Sequence, residues 1–114
     1  MFINEIPFEK RKEESNRILS KYPDRIPIIC EKHLQSNIND LIKKKFLVPN
    51  NLTIGQFIFI LRKRMTISSE QAMFLFINDI LPPIGSTIGP LYNEHKNNDG
   101  FLYILYSGES VFGK

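Results

Sequence analysis

The chain has 114 residues, 42% of them hydrophobic and 24% charged, which suits one compact core and cannot fill two. With 6 Gly and 7 Pro it is neither disordered, collagenous nor low in complexity. The net charge of +3 hides an asymmetry: residues 1–66 hold 13 Lys/Arg against 7 Asp/Glu, and residues 67–114 hold 2 against 5, so the first half is suited to acidic peptides, anionic membrane surfaces or nucleic acid.

A membrane span needs about 20 apolar residues in a row, and the longest run here is the six from Ala72 to Ile77. The opening Met1 to Pro7 carries Glu5 and a proline where a secretory leader needs a basic flank and an apolar stretch, so a cytosolic chain is expected. Pro7 to Tyr22 reads as an amphipathic helix, with Phe8, Ser15, Ile18, Leu19 and Tyr22 along one side. After Pro23-Asp24, Arg25 to Glu31 is an Ile-rich strand in which Ile26, Ile28 and Cys30 point to the core. Pro27 and Ile29 face the other way, and Pro27 marks exposed backbone. Residues 33–44 form a polar connection, followed by a short edge strand, Lys45 to Val48, closed by Pro49.

Thr53 and Gln56 have capping-box spacing and open a helix whose Ile54, Phe57, Ile58 and Leu61 recur at i, i+3, i+4 and i+7, with Arg62-Lys63-Arg64 at its C-terminus. Ala72 to Ile77, apolar throughout, is predicted as a central strand that Leu81-Pro82-Pro83 brings to an end. Thr87 caps a short helix bearing Ile88, Leu91, Tyr92 and His95, Asp99-Gly100 marks a turn, and Phe101 to Tyr106 is a second central strand. Four strands with packed helices make an α+β roll.

Catalytic chemistry is not supported. The segment from Gly108 to Lys114 begins like a phosphate-binding loop but lacks the hydroxyl residue and the following helix. His33 and His95 have no ligand at zinc-like spacing and read as surface histidines, while Cys30 is a small core thiol rather than a nucleophile paired with His33. The aromatics of residues 101–106 have no basic residues among them, which argues against a nucleic-acid stacking surface. What remains is surface: an edge strand at Lys45 to Val48, outward apolar residues on the first strand and flanking cations, a combination able to accept an extended peptide as an added strand. A second feature is the tail through Ser107 to Gly113, because a glycine lets a narrow enzyme site close around backbone.

These residues closely resemble the ubiquitin-like modifiers of autophagy, the family that contains GABA-A-receptor-associated protein and microtubule-associated-protein light chain three. The resemblance runs from Pro7-Phe-Glu-Lys-Arg11 through Lys21-Tyr-Pro-Asp-Arg-Ile-Pro27, Lys43-Lys-Lys-Phe-Leu-Val-Pro49, Leu52-Thr-Ile-Gly-Gln-Phe57, Leu81-Pro-Pro83, Leu91-Tyr92, Asp99-Gly-Phe-Leu-Tyr103 and Tyr106-Ser107 to Gly113. It implies a ubiquitin-like β-grasp over residues 23–113, preceded by a helical extension over residues 1–22, with residue 114 removed by processing. It implies no cofactor, no metal and no enzymatic activity of the chain's own. A cysteine protease would expose Gly113, and activating and conjugating enzymes would pass its carboxyl to phosphatidylethanolamine, placing the chain in cytoplasm and, when lipidated, on autophagosome or other vesicle membranes.

The resemblance also implies two peptide pockets for receptors and adaptors with aromatic-x-x-aliphatic motifs. Glu14, Ile18, Pro27, Ile29, Lys45, Leu47 and Phe101 would take the aromatic anchor. Phe46, Val48, Pro49, Leu52, Phe57 and Ile60 would take the aliphatic one, with Arg25, Lys43, Lys45 and Arg64 meeting acidic flanks. Phe46, Ile60 and Cys30 stand where Tyr, Leu and an aliphatic residue are common, and the short segment before Pro7 implies a curtailed first helix. The alternative is a trafficking adaptor that binds peptides or tubulin without conjugation.

Overall fold

The structure, a computed structural model, describes residues 1–111. Phe112, Gly113 and Lys114, and with them the expected conjugation residue, lie outside the described residues. The elements in chain order are α1 (Phe2–Glu5), α2 (Phe8–Lys21), β1 (Arg25–Lys32), β2 (Lys45–Pro49), α3 (Ile54–Arg64), β3 (Phe74–Phe76), α4 (Ile88–His95) and β4 (Leu102–Ser107).

The strands form one sheet in the order β2-β1-β4-β3. β1 runs antiparallel to β2, with Pro27 opposite Leu47 and Ile29 opposite Lys45, and parallel to β4, with Ile28 beside Leu102. This is the ubiquitin-like mixed sheet. A parallel pairing needs a long crossover, and everything from β2 to α4 supplies it. The apolar run of β1 follows from its interior place: Ile28 and Cys30 face a core that also holds Phe57, Leu61, Leu102 and Ile104, while Ile29 faces a smaller cluster with Phe2 and Phe101. The ladder between β1 and β4 begins at Ile28, so the missing N–H of Pro27 falls just outside it.

Several expectations are corrected. The run from Ala72 to Ile77 is not a central strand: only Phe74–Phe76 pairs, antiparallel to β4, at the sheet's second edge. Met73, Leu75 and Ile77 join the core, while Phe74 and Phe76 on the other face are half-buried. The chain already turns at Asn78 (φ 49) and Asp79 (φ 65), residue types that tolerate the left-handed region, before the prolines are reached. The side of α2 that its pattern suggests is buried only in part: Ser15 is buried and Ile18 packs on the outer cluster, but Phe8 and Tyr22 are exposed, and Arg11, not read on that side, is buried. Polar bonding by Arg11 and Ser15 joins the packing of Ile18 in fixing its inner face. His33 and His95 are half-buried rather than at the surface.

The capping box on α3 forms as expected, with the Gln56 amide donating to Thr53 Oγ1 (3.1 Å) and the Thr53 amide to Gln56 Oε1 (2.9 Å). Thr87 occupies the N-cap position of α4 without a side-chain cap bond. The orphan amides of that first turn are met by backbone instead, Ile88 N–H by Leu52 O and Gly89 N–H by Asn50 O, both at 2.8 Å. α1 is a single turn; no described helix is long and apolar enough to cross a membrane.

Candidate peptide-docking site

β2 lies at the sheet edge, and among the described residues no strand pairs with its outer side. Its five residues alternate: Lys45 and Leu47 lie on the outer face with Pro27 and Ile29 opposite them, while Phe46 and Val48 are buried on the core face. The parallel register sets Phe101 beside Pro27, one residue before β4, and α2 lays Glu14 and Ile18 over the same face. All seven residues expected in the first pocket therefore converge. Its floor is closed to solvent, with Ile29 and Phe101 each 1% exposed. The Lys45 ammonium donates to Glu14 at 2.9 Å across the entrance, an ion pair whose lysine is half exposed.

The second set divides by depth. Phe46, Val48 and Phe57 are core residues, with the Phe46 and Phe57 rings edge to face at 5.3 Å, so they support a surface rather than form one. Leu52 and Ile60 are half-buried against that core, and Pro49 is exposed, leaving these three as the accessible rim. The cations divide along the strand as well. Lys43 Nζ and the Arg64 guanidinium sit 5.5 and 5.7 Å from the Phe46 ring centre, near the start of β2. Arg25 is paired with Pro49 at its end, about 13 Å away at strand rise. Acidic groups on both sides of a docked peptide can thus be met, each by different cations.

Sequence reasoning missed what holds the outer face in place. Asp99 is wholly buried just ahead of Phe101. Its carboxylate accepts from Arg11 Nη1 and from the Tyr103 hydroxyl, each at 2.5 Å, and from the Phe101 amide at 2.9 Å. Its carbonyl accepts from Ser15 Oγ. Gly100 follows at φ 93, where a Cβ would run into Ser15. Burial first, then the hydrogen bond to Asp99, raises the Tyr103 hydroxyl well above its usual range, so it stays a donor. Asp99-Gly100 was legible only as a turn; the helical Arg11 partner is 88 residues away. Cys30 is fully buried, and burial with the neighbouring Glu31 charge pushes its thiol far up, which leaves it without nucleophilic character at neutral pH.

The comparisons with known proteins agree with this fold. The family model described as "Autophagy protein Atg8 ubiquitin like" matches residues 10–113. "Autophagy-related protein 8" of Schizosaccharomyces pombe is 56% identical over 112 residues, covering 98% of this chain and 93% of the relative. That of Candida albicans is 53% identical over 113 residues, covering 99% and 84%. Among solved structures, Trypanosoma brucei ATG8 superposes with a TM-score of 0.90 at 43% identity, covering 98% of this chain and 97% of that one. Plasmodium falciparum Atg8, solved with a Plasmodium falciparum Atg3 peptide, gives 0.87 at 40% identity, with 98% of both chains covered.

Proposed function

The chain belongs to the Atg8 family of ubiquitin-like autophagy proteins, and from that premise we propose that it is a lipid-conjugated modifier that docks short peptide motifs at the β2 edge. The observation that carries the conjugation half is the reach of the family match, which ends on Gly113. Hydrolysis of the bond between Gly113 and Lys114 adds water and frees the Gly113 carboxylate. An activating enzyme, driven by ATP, joins that carboxylate to an enzyme thiol, and a conjugating enzyme receives it as a thioester. The amine of phosphatidylethanolamine then displaces the thiol and leaves an amide. The Atg3 peptide bound to the Plasmodium relative supports a conjugating-enzyme partner. One acyl chain binds membranes marginally and two bind stably, so conjugation to a two-chain lipid turns a cytoplasmic domain into a resident of autophagosome membranes.

The docking half draws on the open outer side of β2 and on the convergence of the first-pocket residues. Backbone hydrogen bonds to the edge would hold an extended receptor segment, its aromatic anchor entering near Ile29 and Phe101 and its aliphatic anchor resting on Leu52 and Ile60. The test is reconstitution with the processing and conjugating enzymes on liposomes containing phosphatidylethanolamine. Mass spectrometry should find the lipid on Gly113 and Lys114 removed, and Gly113→Ala should block both steps. Persistence of an unmodified chain under conditions that lipidate the Schizosaccharomyces pombe relative would overturn the conjugation reading.

A further inference from the structure

The outer face of β1 and β4 is not bare. α1 lays the Phe2 ring over it, 5.8 Å from Phe101 and edge to face, and 6.5 Å from Tyr103. Phe2 is 5% exposed and shares a buried cluster with Ile29 and Phe101, against which Ile18 packs. The Lys45 ammonium sits 5.2 Å over the same ring. Four residues expected to receive a partner's aromatic anchor are thus already engaged around an aromatic of the chain itself.

Two polar bonds add to the seating of the ring. The Phe2 amide donates to the Glu31 carboxylate at 3.0 Å, and Arg11 Nε donates to Ile6 O at 2.9 Å. A helix of one turn has no stability of its own, so the segment stays only while its side chain is seated. We propose that Phe2 is a built-in occupant of the first pocket, covering the apolar floor that an incoming aromatic needs, so that docking requires α1 to lift and the two rings compete for one site. The inference rests on the peptide-docking reading above and adds a competitor to it. A pocket open in only a small fraction of molecules weakens apparent affinity by that fraction, and the burial of one phenyl ring sets the fraction at roughly one in ten to one in a hundred.

The experiment is fluorescence anisotropy of a labelled peptide carrying three glutamates ahead of Trp-Ala-Ala-Leu, titrated with the full chain and with Phe2→Ala. The variant should bind roughly tenfold tighter or better. Glu31→Gln, which keeps the ring and weakens its tether, should shift affinity the same way by a smaller factor. In the wild-type chain, nuclear Overhauser contacts between the Phe2 ring and the Ile29 methyls should vanish at saturating peptide. Equal or weaker binding by Phe2→Ala, or contacts that persist with peptide bound, overturns the competitor while leaving the docking site standing. No binding by either chain removes the docking reading, and the competitor with it.

Discussion

Asp99→Ala should be among the most damaging single changes in this chain. The carboxylate is fully buried and receives three hydrogen bonds, from Arg11, Tyr103 and the Phe101 amide, while the Arg11 side chain opposite it is 9% exposed. Removing one partner of a buried ion pair leaves an uncompensated charge, at a cost of about 3–5 kcal/mol. That is a fifth or more of the stability of an ordinary domain, about 5–15 kcal/mol. Asp99→Asn keeps an acceptor for the Phe101 amide and loses only the charge, so about 1.5–3 kcal/mol is expected. Urea unfolding measures both, and an unchanged m-value would show that the folded state alone is affected. In an Arg11→Met background the guanidinium is gone, and Asp99→Ala should cost less by about 1–3 kcal/mol, the coupling of groups in direct contact. A loss below about 1 kcal/mol for Asp99→Ala, or additivity in the double variant, would refute the view that this pair clamps α2 to the start of β4.

Three further outcomes follow from the same coordinates. Gly100→Ala should lower stability by about 2–4 kcal/mol, combining left-handed strain with loss of the Ser15 bond; Ser15→Gly should recover part of it, and a change under about 0.5 kcal/mol would contradict the close approach. Leu47→Ala, half-buried on the outer face, should weaken aromatic-x-x-aliphatic peptide binding by roughly tenfold with little change in melting temperature, and an unchanged dissociation constant by calorimetry would contradict its place in the pocket. Cys30 should resist a thiol reagent in the native chain at pH 8 and react at once in guanidinium. A thiol raised by burial stays protonated where a free one ionises, so stability is fully present at neutral pH and declines as pH rises above the unfolded thiol's range; stoichiometric native labelling within minutes would count against this.

The fold was legible where one local pattern had one cause. Thr53 and Gln56 announced the start of α3 because the box is closed by residues three apart. The alternation of Lys45 to Pro49 announced β2 because one face only is fully buried. The misreadings share a different origin. Ala72 to Ile77 looks central since every side chain is apolar, yet apolarity reports covering by neighbouring layers and not the number of strands alongside, and β3 has one partner. α2 looks anchored by its apolar side, of which Ile18 does pack while Phe8 and Tyr22 are exposed, and its further attachment is Arg11 and Ser15 to Asp99, a bond set that no periodicity encodes. Likewise Phe2 read only as part of a segment unfit for a leader; that it covers Ile29 and Phe101 depends on a pairing of chain start with chain end that only the parallel register of β1 and β4 creates.

That register also arranges the two halves of the proposed function in space. Phe101 stands at the start of β4, beside the first pocket, whereas the strand ends at Ser107 alongside the far end of β1, where His33 N–H reaches Tyr106 O at 2.9 Å. Six residues of strand put those ends about 20 Å apart. A tether attached beyond Ser107 therefore leaves the sheet at the end opposite to Pro27, Leu47 and Phe101, and a membrane held there need not shade the pocket. The helix α2 is bound to the pocket end through Asp99, whereas the Phe2 amide is held by Glu31, which lies beside Leu105 toward the far end. A movement of α1 is thus felt at both ends of the sheet, through the Phe2 ring at Phe101 and through the Phe2 amide at Glu31.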